Sequence, residues 1–220
     1  MAASRAQRIG IWVIVIVFAV GSIGLIVIAV LAINNDKSDR ARLAELTSQY
    51  QEQVGEYQTK VDAQTTELSS KYFSEFNQYA TRPAAFDVAG VTALKTEDLK
   101  VGDGADITAD STFSAYYIGW NPSGTVFDGS IDGAKLKAPL SVTPGGVITG
   151  WTEGVVGMKV GGVRELTIPA DKAYGETGSG DNIPPNTPIK FVVMIIPTPE
   201  VIEQPQPSAE LIKYYTAAQQ

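Results

Sequence analysis

The hydrophobic pattern of the chain changes character along its length. Residues 11–33 form an apolar run with no charged side chain. As a helix this run would reach about 34 Å, enough to cross a hydrocarbon core. It is longer than the roughly 7–15 apolar residues of a signal-peptide core. It therefore reads as an uncleaved transmembrane anchor, although Val30-Leu31-Ala32 would pass as a cleavage site. Arg5 and Arg8 precede it. The positive-inside rule then puts the short tail, residues 1–10, in the cytoplasm and the bulk of the chain outside. Lys37, Arg40 and Arg42 on the far side reduce that asymmetry.

Residues 34–82 follow a different rhythm. Between 36 and 80 there is no proline and a lone glycine, Gly55, in a background of helix formers. Leu43, Leu46, Tyr50, Val54, Tyr57, Val61, Thr65, Leu68, Tyr72, Phe76 and Tyr79 recur at spacings of 3, 4 and 4. This is an 11-residue repeat of about 3.67 residues per turn, which favours straight or slightly right-handed helix association. The segment is expected to be a helical stalk ending at Arg82-Pro83, because the residue before proline avoids the helical region. Its stripe either pairs with another helix, as in a homo-oligomer, or lies against the chain's own domain.

From residue 84 to 198 the pattern becomes short apolar–polar alternations separated by glycine and aspartate turns. Residues 112–118 and 162–168 read as alternating strands. Residues 189–196 are more continuously apolar and read as a buried strand. Residues 151–158 are the one plausible helix, diluted by glycine. The expected architecture is α+β, a sheet with one short helix across it. Residues 199–220 begin as a proline-rich linker and end in a short tail, in which Ser208 either caps a short helix from Ala209 to about Ala218 or precedes a frayed terminus.

Composition narrows the chemistry. The chain has no cysteine and no histidine. That removes disulfides, thiol nucleophiles, Ser-His-Asp triads and ordinary zinc sites. Asp and Glu are scattered without a ligand-like cluster, so no metal or cofactor is expected. A net charge of −7 argues against nucleic acid as a partner.

What remains is a set of aromatic-bearing segments in a fixed order: Tyr116-Tyr117-Ile118-Gly119, Phe127-Asp128-Gly129-Ser130, Val147-Ile148-Thr149-Gly150-Trp151, and Tyr174-Gly175-Glu176-Thr177-Gly178 running to Ile183-Pro184-Pro185. Taken singly each would be ordinary core or a turn. Together they resemble the FKBP family of peptidyl-prolyl isomerases over residues 91–198. The resemblance implies an antiparallel twisted sheet wrapped around one short helix. It also implies an apolar pocket with Trp151 as floor, and with Tyr117, Phe127, Asp128, Ile148 and Tyr174 as the groups acting on the substrate. Leu140, Val147 and Phe191 would complete the substrate-binding wall. Leu140, and nearby Val142, stand where the family's rim carries phenylalanines. Ser179 to Asn182 replace a histidine- and isoleucine-bearing tip, and no arginine follows Ser130.

The implied substrates are proline-containing polypeptides, and with the anchor the implied setting is the folding of exported or membrane-proximal proteins. A non-catalytic binding or scaffold module on the same frame, with the stalk mediating association, is the alternative that the altered rim and the striped helix suggest.

Overall fold

The computed structural model describes residues 37–217. The expected tail and the expected anchor, residues 11–33, lie outside the described residues. Among the described residues no helix is long and apolar enough to cross a membrane.

The expected stalk is a single helix, α1 (Lys37–Asn77). It ends five residues before Arg82 rather than at the proline. Successive turn hydrogen bonds, Tyr79 N–H to Phe76 O and Arg82 N–H to Tyr79 O, both 3.0 Å, unwind the chain before Pro83 is reached. The chain divides into two compact units. Among the described residues, one comprises residues 37–63 together with 201–217, and the other is Gln64–Glu200.

In the first unit the stripe is met by the chain itself. Leu43 and Leu46 are buried with Leu211, flanked by Tyr50 and Tyr214. Leu211 belongs to α3 (Ala209–Ala217), which begins as the sequence suggests. The Ser208 hydroxyl accepts the Leu211 N–H at 3.1 Å, satisfying a donor that the first turn of a helix leaves free. Arg42 forks onto Glu210 with contacts of 2.7 and 3.0 Å. Val54, Tyr57 and Val61 remain half-buried.

The second unit is built on an antiparallel sheet of β1 (Lys95–Lys100), β7 (Val163–Ile168), β8 (Ile189–Ile196), β2 (Phe113–Trp120) and β3 (Val126–Gly129), in that order. β6 (Leu140–Val142) also pairs with β2. A small hairpin, β4 (Ile131–Asp132) with β5 (Lys135–Leu136), stands beside it. Side chains alternate across the sheet with period two. Phe113, Ala115 and Tyr117 of β2, Leu166 and Ile168 of β7, and Ile189, Phe191, Val193 and Ile195 of β8 face the front. Tyr116, Ile118 and Trp120, with Val163, Val192, Met194 and Ile196, face the back.

Each face has its own cover. On the front lies α2 (Thr149–Gly154), which starts two residues earlier and ends four residues sooner than the sequence pattern suggests. Gly150 is what lets it approach: a Cβ there would sit 2.2 Å from the Ile168 methyl carbon. The glycine that weakened the helical signal is required for packing. Arg164, 9 % exposed, holds the other end of α2. Its guanidinium donates to the carbonyls of Gly154 (2.8 Å) and Val156 (3.1 Å) and pairs with Asp98 at 2.6 Å. A cation on the last carbonyls of a helix satisfies orphan acceptors and suits the helix dipole.

The back is covered by the last turns of α1. Phe76 is fully buried there, with Tyr72, Phe73, Tyr79, Phe86 and Ile131 around it. The Ser69 hydroxyl accepts the Leu136 N–H at 2.8 Å. Glu165, on the same face, receives Arg82 at 2.7 Å and Lys190 at 3.0 Å, fixing the chain where it leaves α1. From residue 64 the stripe therefore lies against its own domain. Two buried groups here, the Tyr116 hydroxyl and Trp120 Nε1, have no hydrogen-bond partner among the described residues. Each such group costs about 1–3 kcal/mol, which packing must offset.

Candidate functional site

The front of β2, the start of α2 and the loop before β8 converge on one apolar cluster. Trp151 lies in the first turn of α2 and is 3 % exposed. Its backbone N–H donates to the Ile148 carbonyl at 3.0 Å, closing the first turn of α2. The edges of neighbouring rings meet it: Tyr117 at 5.6 Å and 83°, Phe191 at 5.3 Å and 84°. Phe127 stands edge-on to Phe191 at 5.5 Å. Edge-to-face packing of this kind fixes ring orientation beyond what area alone does.

Gly119 makes room for the two phenylalanines. A Cβ there would lie 2.4 Å from Phe191 and 2.8 Å from Phe127. Gly119 was legible as part of the Tyr117-Ile118-Gly119 segment, but its task of making room for these rings was not.

The polar part is small. The Tyr117 hydroxyl donates to Asp128 Oδ2 at 2.5 Å, and Asp128 Oδ1 accepts the Gly129 N–H at 2.8 Å. Both carboxylate oxygens are thus occupied from the protein side. The Ser130 hydroxyl, 3 % exposed, accepts the Tyr117 N–H at 3.0 Å, and Ser130 N–H returns to Tyr117 O at 2.8 Å. Ser130 was legible as part of the Phe-Asp-Gly-Ser motif, but its task of seating Tyr117 was not. The Tyr174 hydroxyl and the Ile148 N–H are engaged by no other described residue.

All of the residues expected in the pocket are brought together. Tyr117, Phe127, Leu140, Val147, Ile148 and Tyr174 are the partly buried groups packed on the front core, while Trp151 and Phe191 are buried within it. Val142 is 4 % exposed and belongs to the core rather than to the rim. Ile183, 3 % exposed, joins the same core from the loop, a role the sequence motif did not single out.

Burial pushes the Tyr117 hydroxyl well above the usual tyrosine range, and the hydrogen bond to Asp128 adds to it. Tyr174 moves up for the same first reason, with the charge of Asp128 second. On the back face burial pushes Tyr116 up to about 12, with a smaller contribution from Tyr72. All three are neutral in the working range, and Tyr117 alone of them donates to a described residue. Their effect on stability has a definite sign. Below the ordinary value of 10.0 the phenols are neutral, folded or unfolded, and their contribution is complete. Above it the unfolded chain loses protons first, so stability falls until the folded phenols titrate. Unfolding midpoints in urea should be flat from neutral pH to about 9 and then decline steeply, together with the appearance of tyrosinate absorbance. A midpoint unchanged at pH 11 would contradict the burial of these hydroxyls.

A family model for FKBP-type peptidyl-prolyl cis-trans isomerase matches residues 104–196. The chain is 42% identical over 106 residues to an FK506-binding protein of Neisseria meningitidis serogroup A, covering 47% of this chain and 94% of that protein. It is 40% identical over 105 residues to a probable FK506-binding protein of Corynebacterium glutamicum, covering 47% of this chain and 85% of that one. A longer similarity, 36% over 159 residues, relates it to a probable FKBP-type peptidyl-prolyl cis-trans isomerase, FkpA, of Neisseria meningitidis serogroup B. There it covers 70% of this chain and 55% of the relative.

Proposed function

The chain belongs to the FKBP-type peptidyl-prolyl cis-trans isomerases, and we propose that it works by stripping water from a prolyl amide and holding it twisted in the cleft around Trp151. Its substrates are proline-containing polypeptides. The barrier to rotation, roughly 18–20 kcal/mol, is resonance energy of the amide. No bond is broken, so neither a nucleophile nor proton transfer is needed. The twisted amide is less polar than the planar one and loses less when water is removed. An apolar cleft therefore favours it differentially, which is what accelerates a reaction.

The roles follow from position. Trp151 receives the prolyl ring, and Phe127, Leu140, Val147 and Phe191 wall it. The Tyr174 hydroxyl and the Ile148 N–H hold substrate carbonyls, being donors with no hydrogen-bond acceptor among the described residues. Asp128 keeps the Tyr117 hydroxyl in place, and its charge faces the amide nitrogen as that atom pyramidalises. The observation that carries this reading is the 2.5 Å bond between Tyr117 and Asp128 at the mouth of an otherwise apolar aromatic cage. It favours a working site over a frame kept only for scaffolding.

The setting we propose is the folding of exported or membrane-proximal proteins. Residues 11–33 would be a single-pass anchor with a cytoplasmic N-terminus, supported by Arg5 and Arg8 ahead of the apolar run. The half-buried stretch Val54, Tyr57 and Val61 of α1 would be available to a second copy of the chain.

The test is a peptide isomerisation assay on the full chain in detergent micelles. Acceleration of X-Pro isomerisation in proportion to protein concentration is expected. A rate equal to the uncatalysed one would overturn the reading.

A further inference from the structure

The tip of the rim loop, Ser179 to Asn182, is held from outside the loop. The loop leaves Tyr174 and returns at Ile183. Its roots are fixed by backbone: Gly175 N–H to Ala170 O and Asn186 N–H to Gly175 O, both at 2.8 Å. Ser179 N–H meets Ile183 O at 2.7 Å. Between them Gly180, Asp181 and Asn182 are exposed. Among the described residues, the tie from this tip to another element is Asn121, which directly follows β2. Its Nδ2 donates to Asn182 O at 2.9 Å.

The other end of the same side chain builds the turn that leads to Phe127 and Asp128. Asn121 Oδ1 accepts the Ser123 N–H at 3.1 Å, the Ser123 hydroxyl at 2.7 Å and the Thr125 N–H at 3.1 Å. One amide thus locks the β2–β3 turn with its oxygen and latches the rim loop with its nitrogen. The turn is rigid, so the latch sets where the loop stands beside Tyr174.

We infer that Asn121 is a positioning residue that determines substrate selection by fixing the rim loop over the pocket. The inference rests on the pocket reading above. If the floor receives the prolyl ring, the rim meets the residue that precedes proline. A loop free to move would grip that residue less selectively while leaving the floor intact.

Asn121→Asp separates the two halves of the device. It keeps oxygens for Ser123 and Thr125, removes the donor, and sets a carboxylate against the Asn182 carbonyl. In the full chain kcat/KM is measured on peptides differing only in the residue before proline. Amide hydrogen exchange over residues 180–182 and the unfolding midpoint are measured alongside.

Loss of one exposed hydrogen bond should change the preference between bulky and small preceding residues by roughly two- to tenfold. Exchange in the loop should quicken while the midpoint stays within a few degrees. Asn121→Ala, which also frees the turn, should show the same shift in preference plus a lower midpoint.

An Asn121→Asp protein with wild-type preference and wild-type loop exchange overturns the inference. So does an equal loss on every peptide that tracks a lowered midpoint, since that is a structural role alone. If the wild type itself does not catalyse, the pocket reading fails and the inference goes with it. Wild-type catalysis with an unaltered variant removes the inference only.

Discussion

Phe76→Ala should destabilise the Gln64–Glu200 unit by about 3–5 kcal/mol, the usual cost of emptying a buried phenylalanine site. Phe76 is fully buried, with its ring 6.1 Å from Tyr116 and 6.4 Å from Tyr79. The cavity cannot collapse easily, because one wall is a sheet and the other a helix. Since whole domains are stable by only about 5–15 kcal/mol, the loss should be visible as a large drop in urea midpoint with an unchanged slope.

The same reasoning extends to truncation. A chain begun at residue 84 lacks Ser69, Tyr72, Phe73, Phe76 and Tyr79, and leaves Tyr116, Ile118, Trp120, Val192 and Met194 facing water. Such a fragment should aggregate, whereas one begun before residue 64 should not. A stable, monomeric fragment from residue 84 onward would show that the back face needs no cover.

Trp151→Leu should lower kcat/KM by roughly tenfold to a hundredfold while the protein remains folded. A prolyl ring carries three methylenes worth about 0.8 kcal/mol each when fully buried against the floor, and each 1.36 kcal/mol is a factor of ten. Leucine fills part of the volume but offers no flat surface, and it removes the edge contacts that orient Tyr117 and Phe191. Trp151→Ala should lose at least as much activity, together with about 3–5 kcal/mol of stability. The leucine variant is therefore the cleaner probe. Isomerase activity within twofold of wild type in a folded Trp151→Leu protein would remove Trp151 from the site.

Much of this was open to reading in the sequence, and the misses have physical causes. The alternation of β2 and the unbroken apolar run of β8 marked both strands. Yet a strand that is apolar on both faces requires a cover on each, and the one short helix could supply only one. Tyr116, Ile118 and Trp120 pointed to a second cover, and the stripe through Leu68, Tyr72 and Phe76 was its complement. Separation in the chain kept the two signals apart.

The start of α2 was misplaced because Gly150 lowers helical propensity where tertiary contact with Ile168 requires it. The pocket residues were legible through motif order. The groups that position them were not: Arg164 on the α2 carbonyls, Ser130 on the Tyr117 backbone and Asn121 on the rim join residues whose sequence separation carries no periodic signal.

The two-sided sheet has a practical corollary for anyone observing the molecule by light. The described residues hold one indole in each core, Trp120 behind β2 and Trp151 in front of it. Trp12, the remaining one, falls in the apolar run outside them. Replacing Trp12 would leave two intrinsic fluorophores on opposite sides of one strand. The emission of Trp151 would then follow occupancy of the cleft, and that of Trp120 would follow the seating of α1, with no label attached.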